Sequence, residues 1–538
     1  MNYITASLAR LGNVVKKINI PKAIYSILLS LMFVFSRHVI NDPYAERRDY
    51  ESAIFIDLYY MDFIFFILLA VLIYLFLLNI RYIRKEIFFE EPKESKGLVQ
   101  LILSFAVIMG CYIPYLYSYW PGGIYSDTMN SIWIASGTDP MTTHEPIGYT
   151  LLWTLMFKIT GGTLEPGHYG AFYMFTIVQS MGMALLCTLF LNWNYRRGMK
   201  KSVVGALTLV FALFPLFPYY GISLWKDTVF GIVIFIYAWY LYCMVERITK
   251  AEEIKTKDIV LYVILSLMVV FFRNNGIYVM IIVGVTLSLL FIKSKKIFKK
   301  LLITTLAVII SSIIIQKPIF NALNYNVDTA IESLAIPLQQ TAYIVCTDGK
   351  VNDEDIQFIN SVMRYDHWRE VYDPAISDFI KFDPEFDRGY FNDNVDKFFK
   401  TYIHLCINNP VKAVKGYLLA TTGYWDLFKD SSNAYVCAEC IPWTGIFQGD
   451  FFEYNTGKSF RALVNPKNFI PAALWVWIML FAFALAIDSK NKKIIIAILP
   501  AFSVWFTIML AVPIAYTFRY IFAVFLCIPL YLMSFIEE

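Results

Sequence analysis

The residues able to do chemistry are few, and they sit in short motifs between long apolar runs. The first motif is Trp120-Pro-Gly-Gly-Ile-Tyr-Ser-Asp127. Its Pro and Gly pair turn the backbone sharply and present Asp127 just after an apolar run has ended. A carboxylate there can take a proton from a substrate; in the plainer reading Ser126 or Asp127 caps a surface helix. The same stretch continues to Thr142-Thr-His144-Glu145-Pro146. His144 and Glu145 form a candidate acid–base or acceptor-binding pair, or Glu145 merely complements a helix dipole. Lys226 and Asp227 follow Trp225 at the edge of another run. Arg273 and Asn274 lie in the turn Arg273-Asn-Asn-Gly276, and Arg519 lies in Thr517-Phe-Arg519-Tyr520. Charges embedded in such sequence are costly and tend to be paired or functional, unless they snorkel to headgroups. Converging, these cations would hold an anionic headgroup or a phosphate. Gln339 and Gln340, after Pro337, and Tyr424 and Trp425, after Gly423, are further candidates for lining a substrate cavity. Their plainer reading, which the sequence favours, is as turns and helix ends.

The elements that must position these residues are apolar helices. Of the 538 residues 58% are hydrophobic and only 16% charged, against about one-half and one-quarter in soluble domains. The surplus is concentrated in runs such as 101–117, 259–272, 301–315 and 494–512, which lack the polar stripe of a soluble helix. Tyr and Trp gather at run ends, as at Tyr117, Tyr119 and Trp120, in the manner of an interfacial belt. A net charge of only +4 gives no reason to expect nucleic acid. The first run, after Lys22, lacks a small-residue cleavage site and reads as a retained span. Membrane lipids are therefore the expected surroundings.

Lys and Arg cluster at 1–22, 81–97, 193–201, 246–258, 293–300 and 488–493. Placing these clusters in the cytoplasm predicts about twelve spans with both termini inside. The segment Pro146–Ile159 is apolar but too short to cross, so 120–168 is expected to be one outer loop with helices on the membrane surface. The organisation that follows is a two-span extension (1–97), a transmembrane core (98–316), an extracytoplasmic domain (317–468) and three final spans (469–538). The 317–468 segment has more acidic than basic residues, and its apolar spacing predicts a small, mainly helical domain. The expected fold class is an all-α polytopic membrane protein.

Cys346, Cys406, Cys437 and Cys440 fall in the outer domain, where an oxidising medium permits disulfides in any of three connectivities. Cys437-Ala-Glu-Cys440 is also half of a zinc pattern, but its second half is missing. No phosphate-binding loop, dinucleotide fingerprint, HExxH or GxSxG motif occurs. A nucleotide-driven pump is thereby disfavoured.

Taken in order, these motifs resemble a bacterial family of large polytopic proteins, from about residue 100 to the C-terminus. They are Trp120–Asp127, His144-Glu-Pro146, Leu224-Trp-Lys-Asp227, Arg273–Gly276, Ile336–Gln340, Gly423–Trp425 and Phe518-Arg-Tyr520. That family's layout is similar to the GT-C type glycosyltransferases, which use polyprenyl-phosphate sugars. The resemblance implies a GT-C-like fold with a catalytic acidic residue in the first large outer loop, the position of Asp127. It further implies transfer of a sugar from a polyprenyl-phosphate donor to a hydroxyl-bearing acceptor in the cell envelope. In the reaction so expected Asp127 is the base, while Lys226, Asp227, Arg273, Asn274 and Arg519 bind the donor phosphate. Single displacement would invert the anomeric centre. Many GT-C enzymes carry an acidic pair, but here Thr128 and Met129 follow Asp127. That departure leaves use of a divalent metal, Mg or Mn, open. The alternative functions are a flippase or transporter, or a non-catalytic assembly protein for lipid-linked surface polysaccharide. No two-halved pattern of broken spans favours the transporter.

Overall fold

The computed structural model describes residues 18–41, 53–80, 82–92, 97–142, 144–165, 168–322, 330–428, 448–464, 471–511, 514–515 and 517–536. Among the described residues the chain is all-α apart from a small antiparallel hairpin, in which Val39–Asn41 pairs with Ala53–Phe55. In chain order the longer helices begin with α1 (Ile20–Ser36), α2 (Tyr60–Leu78), α3 (Leu98–Ser118), α4 (Ser126–Ser136) and α5 (Ile147–Thr160). There follow α6 (Gly170–Arg196), α7 (Lys201–Leu213), α8 (Leu216–Ile222), α9 (Lys226–Thr249), α10 (Thr256–Phe272), α11 (Gly276–Leu290) and α12 (Lys295–Ala322). The polar layer contains α13 (Ala335–Cys346), α14 (Asp353–Val362), α15 (Val395–Asn408) and α16 (Pro410–Ala420). The chain ends with α17 (Ala472–Asp488), α18 (Lys492–Ala511) and the bent pair α19 (Phe518–Leu526) and α20 (Ile528–Phe535).

Helices occupy every stretch expected to span, but not with equal reach. Among the described residues six are long and apolar enough to cross a membrane, and eight if each bent pair counts as one span. The bends have a local cause. Between α7 and α8 the axis turns by 50° at Pro215, and between α19 and α20 by 43° at Pro529. Proline has no N–H for the helix ladder and clashes with the preceding turn. The α5 helix is 14 residues long, about 21 Å of rise, short of the ~30 Å hydrocarbon core.

The main core is apolar and aromatic, built from α3, α6, α9, α11, α17, α18 and α19. A second core, with Trp368, Phe391, Phe398 and Leu405 at its centre, belongs to the 330–428 layer alone. That layer is tied to the end of the bundle from which α4, α9 and α11 start. The Ala515 N–H donates to the Ala375 carbonyl at 2.9 Å. The Tyr424 hydroxyl donates to the carbonyls of Ile514 (2.7 Å) and Thr517 (3.1 Å). At the opposite end lie ion pairs such as Lys22–Asp488 and the two-pronged Arg197–Glu246. The N-terminal helices α1 and α2 pack on each other and α1 on α17, and Ser36 donates to Asp426.

In the layer, Cys346 donates to the Trp368 carbonyl and Cys406 is a free thiol. Cys437 and Cys440 lie outside the described residues.

Candidate functional site

Two extended segments bring the charged motifs together. Residues 123–125 and 223–225 run side by side in parallel, with Gly123 N–H to the Ile222 carbonyl that ends α8 at 3.0 Å and Leu224 N–H to Gly123 O at 2.9 Å. Each then enters a helix, α4 at Ser126 and α9 at Lys226, so the two helix starts lie next to each other. The approach is close. Gly122 has φ +114°, and a Cβ there would stand 2.6 Å from Thr176 Oγ1 and 2.8 Å from the Ile222 carbonyl. Gln179 steadies the second segment by donating to the carbonyls of Tyr220, Gly221 and Ser223. Thr128 and Tyr149 both donate to the Leu224 carbonyl.

From this scaffold Asp127 faces Arg519 across the site, with Arg519 Nη1 to Asp127 Oδ2 at 2.8 Å. Lys226 Nζ stands 3.8 Å from the same carboxylate and 3.2 Å from Glu145 Oε2, so it bridges two acids. Ser131 donates to Glu145 at 2.8 Å, and His144 Nε2 is 3.9 Å from it. Arg273 pairs with Asp227. Asn274 donates to the His144 carbonyl at 2.9 Å, joining the α10–α11 turn to the first loop. The ring of Tyr520 lies between the two guanidinium groups, 5.1 Å from that of Arg273 and 5.0 Å from that of Arg519. The Arg519 guanidinium is 4.0 Å from the centre of the Trp225 ring, which stacks on Tyr125 at 4.1 Å. That stack fixes the guanidinium plane.

Helices α4, α5, α9 and α11 all begin at this cluster. Their N-terminal N–H groups make the region favourable for negative charge, which accounts for Asp127 and Asp227 in first turns. Partial burial works against ionisation of Asp127, but the Arg519 and Lys226 charges outweigh it. They hold its carboxyl well below the usual carboxylate range. The set of Asp127, Glu145 and Asp227 against Lys226, Arg273 and Arg519 is balanced in charge.

The other candidates point elsewhere. Gln339 donates to the Asp373 carbonyl and Gln340 to the Ala413 carbonyl, while Tyr402 donates to Gln340. Both glutamines are thus built into the polar layer. Trp425 donates to Leu418 O and packs edge-on against Phe35. Tyr424 hydrogen-bonds to the backbone that leads to Arg519 and stands near the Arg273 and Arg519 charges. Reading the motifs did not find Trp225, Tyr125 or Ser131 as supports of the site. Trp225 is signalled by standing next to Lys226; Ser131 carries no signal in the sequence. Among the described residues no group of three or more His, Cys, Asp or Glu is arranged to hold a metal ion. The carboxylates of the cluster each face a cation.

A family of unknown function, DUF6020, matches residues 131–538. The chain belongs to this family. No curated protein and no solved structure matches the chain. The DUF6020 match takes in Glu145, Lys226, Asp227, Arg273 and Arg519, and it begins shortly after Asp127.

Proposed function

We propose that this member of DUF6020 is a membrane glycosyltransferase working at the outer face of the membrane. It moves a sugar from a polyprenyl-phosphate donor to a hydroxyl-bearing envelope acceptor. The observation that carries the reading is the contact of Asp127 with both Arg519 and Lys226 at the convergence of helix N-termini. The acceptor oxygen attacks the anomeric carbon and its proton passes to Asp127. The bond from the anomeric carbon to the phosphate oxygen breaks, and the lipid phosphate leaves as an anion. A phosphate is already a good leaving group, so cations that stabilise its charge replace a general acid. This differs from glycosidases, which need two carboxylates. No step is assigned to a divalent metal.

In this reading the shorter apolar helices complete about twelve crossings, in a GT-C-like arrangement with both termini cytoplasmic. The 330–428 layer then roofs the site from outside. An apolar groove of about 380 Å³, lined by Ile113, Leu116, Tyr117, Trp120 and Phe451, offers the isoprenoid tail a seat at the end of α3.

The test uses purified wild type and Asp127→Asn, matched in thermal unfolding. Release of polyprenyl phosphate from polyprenyl-phosphate sugars is measured. The substitution is expected to lower turnover roughly 10²–10⁴-fold. Equal turnover by both proteins removes Asp127 as the base, and no turnover with any donor favours the flippase reading.

A further inference from the structure

The balanced charge of the cluster poses a problem for any anionic ligand. An arriving phosphate finds no cation without a carboxylate beside it. Arg519 is only 8% exposed, so it cannot swing into solvent to greet a ligand. Its Nη1 is taken by Asp127, while its buried Nε has no hydrogen-bond partner. Asp127, in contrast, keeps 28% of its side-chain surface and sits in the first turn of the short helix α4. Of the two partners, the carboxylate is the one free to move.

Resting on the function proposed above, we infer that Asp127 occupies the phosphate seat of the unloaded protein and that a phosphate monoester or diester displaces it from Arg519. The guanidinium then turns the end carrying Nη1 over to the phosphate oxygens, as suits a planar donor group. The exchange keeps Arg519 paired throughout, so no buried charge is left bare at any stage. It also sets up the chemistry. Held against Arg519, Asp127 is a poor base, because the cation stabilises its ionised form. Released into the same half-buried site, it loses that stabilisation and gains proton affinity once a donor is in place. Lys226, paired with Glu145, stays behind as the remaining charge near it. A carboxylate that competes with its own substrate thus ties basicity to donor binding.

Binding of farnesyl phosphate and of inorganic phosphate, measured by calorimetry on the full-length protein in detergent, tests the exchange. The arms are wild type, Asp127→Asn and Arg519→Gln, each checked for an unchanged unfolding temperature. Asparagine has the shape of the aspartate without its charge, so Asp127→Asn is expected to bind phosphate at least tenfold more tightly than wild type. The same variant is expected to show the loss of turnover given above, and Arg519→Gln to lose binding. Tightening with farnesyl phosphate alone supports the exchange with a lipid-borne phosphate; tightening with both supports it for any phosphate. Equal or weaker binding by Asp127→Asn overturns the exchange while leaving the transferase reading in place. No binding of either probe to any of the three proteins overturns that reading and the exchange with it. Should Asp127→Asn unfold early, Asp127→Ser replaces it under the same criterion.

Discussion

Lys226 shows how a single side chain can serve two carboxylates. It lies 3.2 Å from Glu145, whose side chain is only 1% exposed, and 3.8 Å from Asp127. Removing the ammonium would strand Glu145 in the interior with the Ser131 hydroxyl and the more distant His144 imidazole beside it. Lys226→Met should therefore destabilise the protein by about 3–5 kcal/mol, the usual cost of breaking a buried pair from one side. The double variant Lys226→Met/Glu145→Gln should recover most of that loss, because no bare charge remains. Thermal unfolding of the three proteins in one detergent checks this; an unrescued double variant would show that Lys226 stabilises through packing instead. Residue-level reading of the sequence found the charged members of the cluster because each stands out against apolar neighbours. It did not find that Glu145 is the partner of Lys226, since 81 positions separate them and only the fold makes them neighbours. The same limit hid the Tyr125–Trp225 stack behind Arg519.

At the scale of elements, the site depends on two stretches of non-helical backbone lying in register. The pairing of 123–125 with 223–225 sets where α4 and α9 begin, and a shift of one residue would carry Asp127 away from Lys226. Gly122 is the tightest point of that approach. Gly122→Ala should strain a left-handed conformation and push on the Ile222 carbonyl, at a cost of about 1–3 kcal/mol. Under the proposed function, sugar transfer is expected to fall more steeply than stability, since the displaced segment leads into Lys226. Comparing initial rates with unfolding temperatures separates the two effects, and a variant with wild-type rates would detach this pairing from the site. The turn at Gly122 is legible in Pro121-Gly-Gly123, but its partner is not. Segment 223–225 reads as part of an apolar run, and the break there is enforced by Gln179, a distant side chain on α6.

Across the whole molecule, the apolar runs announced a helical membrane protein, because hydrocarbon demands backbone bonds satisfied within each segment. Counting crossings was harder, since Pro215 and Pro529 divide continuous apolar sequence into bent pairs. The polar layer was legible as helical, yet Gln339 and Gln340 turned inward to its own backbone. Periodicity does not show which polar residue in a helix will find a main-chain carbonyl. The layer also carries a pH-sensitive contact. His367 Nδ1 lies 2.9 Å from Glu370 and Nε2 3.1 Å from Asp383. Burial disfavours the charged imidazole, but the hydrogen bonds to the two acids outweigh it and raise its pKa. A raised folded-state value means the contribution is fully present below the ordinary histidine range. It is lost as pH climbs through the folded-state value. Amide exchange of 353–408 should accordingly quicken as pH rises from 6 to about 8, after correction for intrinsic rates. His367→Gln should remove that dependence, and an unchanged profile would refute the assignment.

The bonds from Ala375 and Tyr424 reach the main chain just before Arg519. The polar layer and the guanidinium consequently share one lever arm. A tilt of the layer wide enough to admit a bulky acceptor would pull on residues 514–517 and slacken the grip on whatever Arg519 holds. In the proposed reaction, entry of one substrate and retention of the other would then be mechanically opposed. If the proposed transfer takes place here, a molecule geared in this way would favour thin acceptors that slip beneath the layer, and it would let go of its spent lipid by the same movement that widens the entrance.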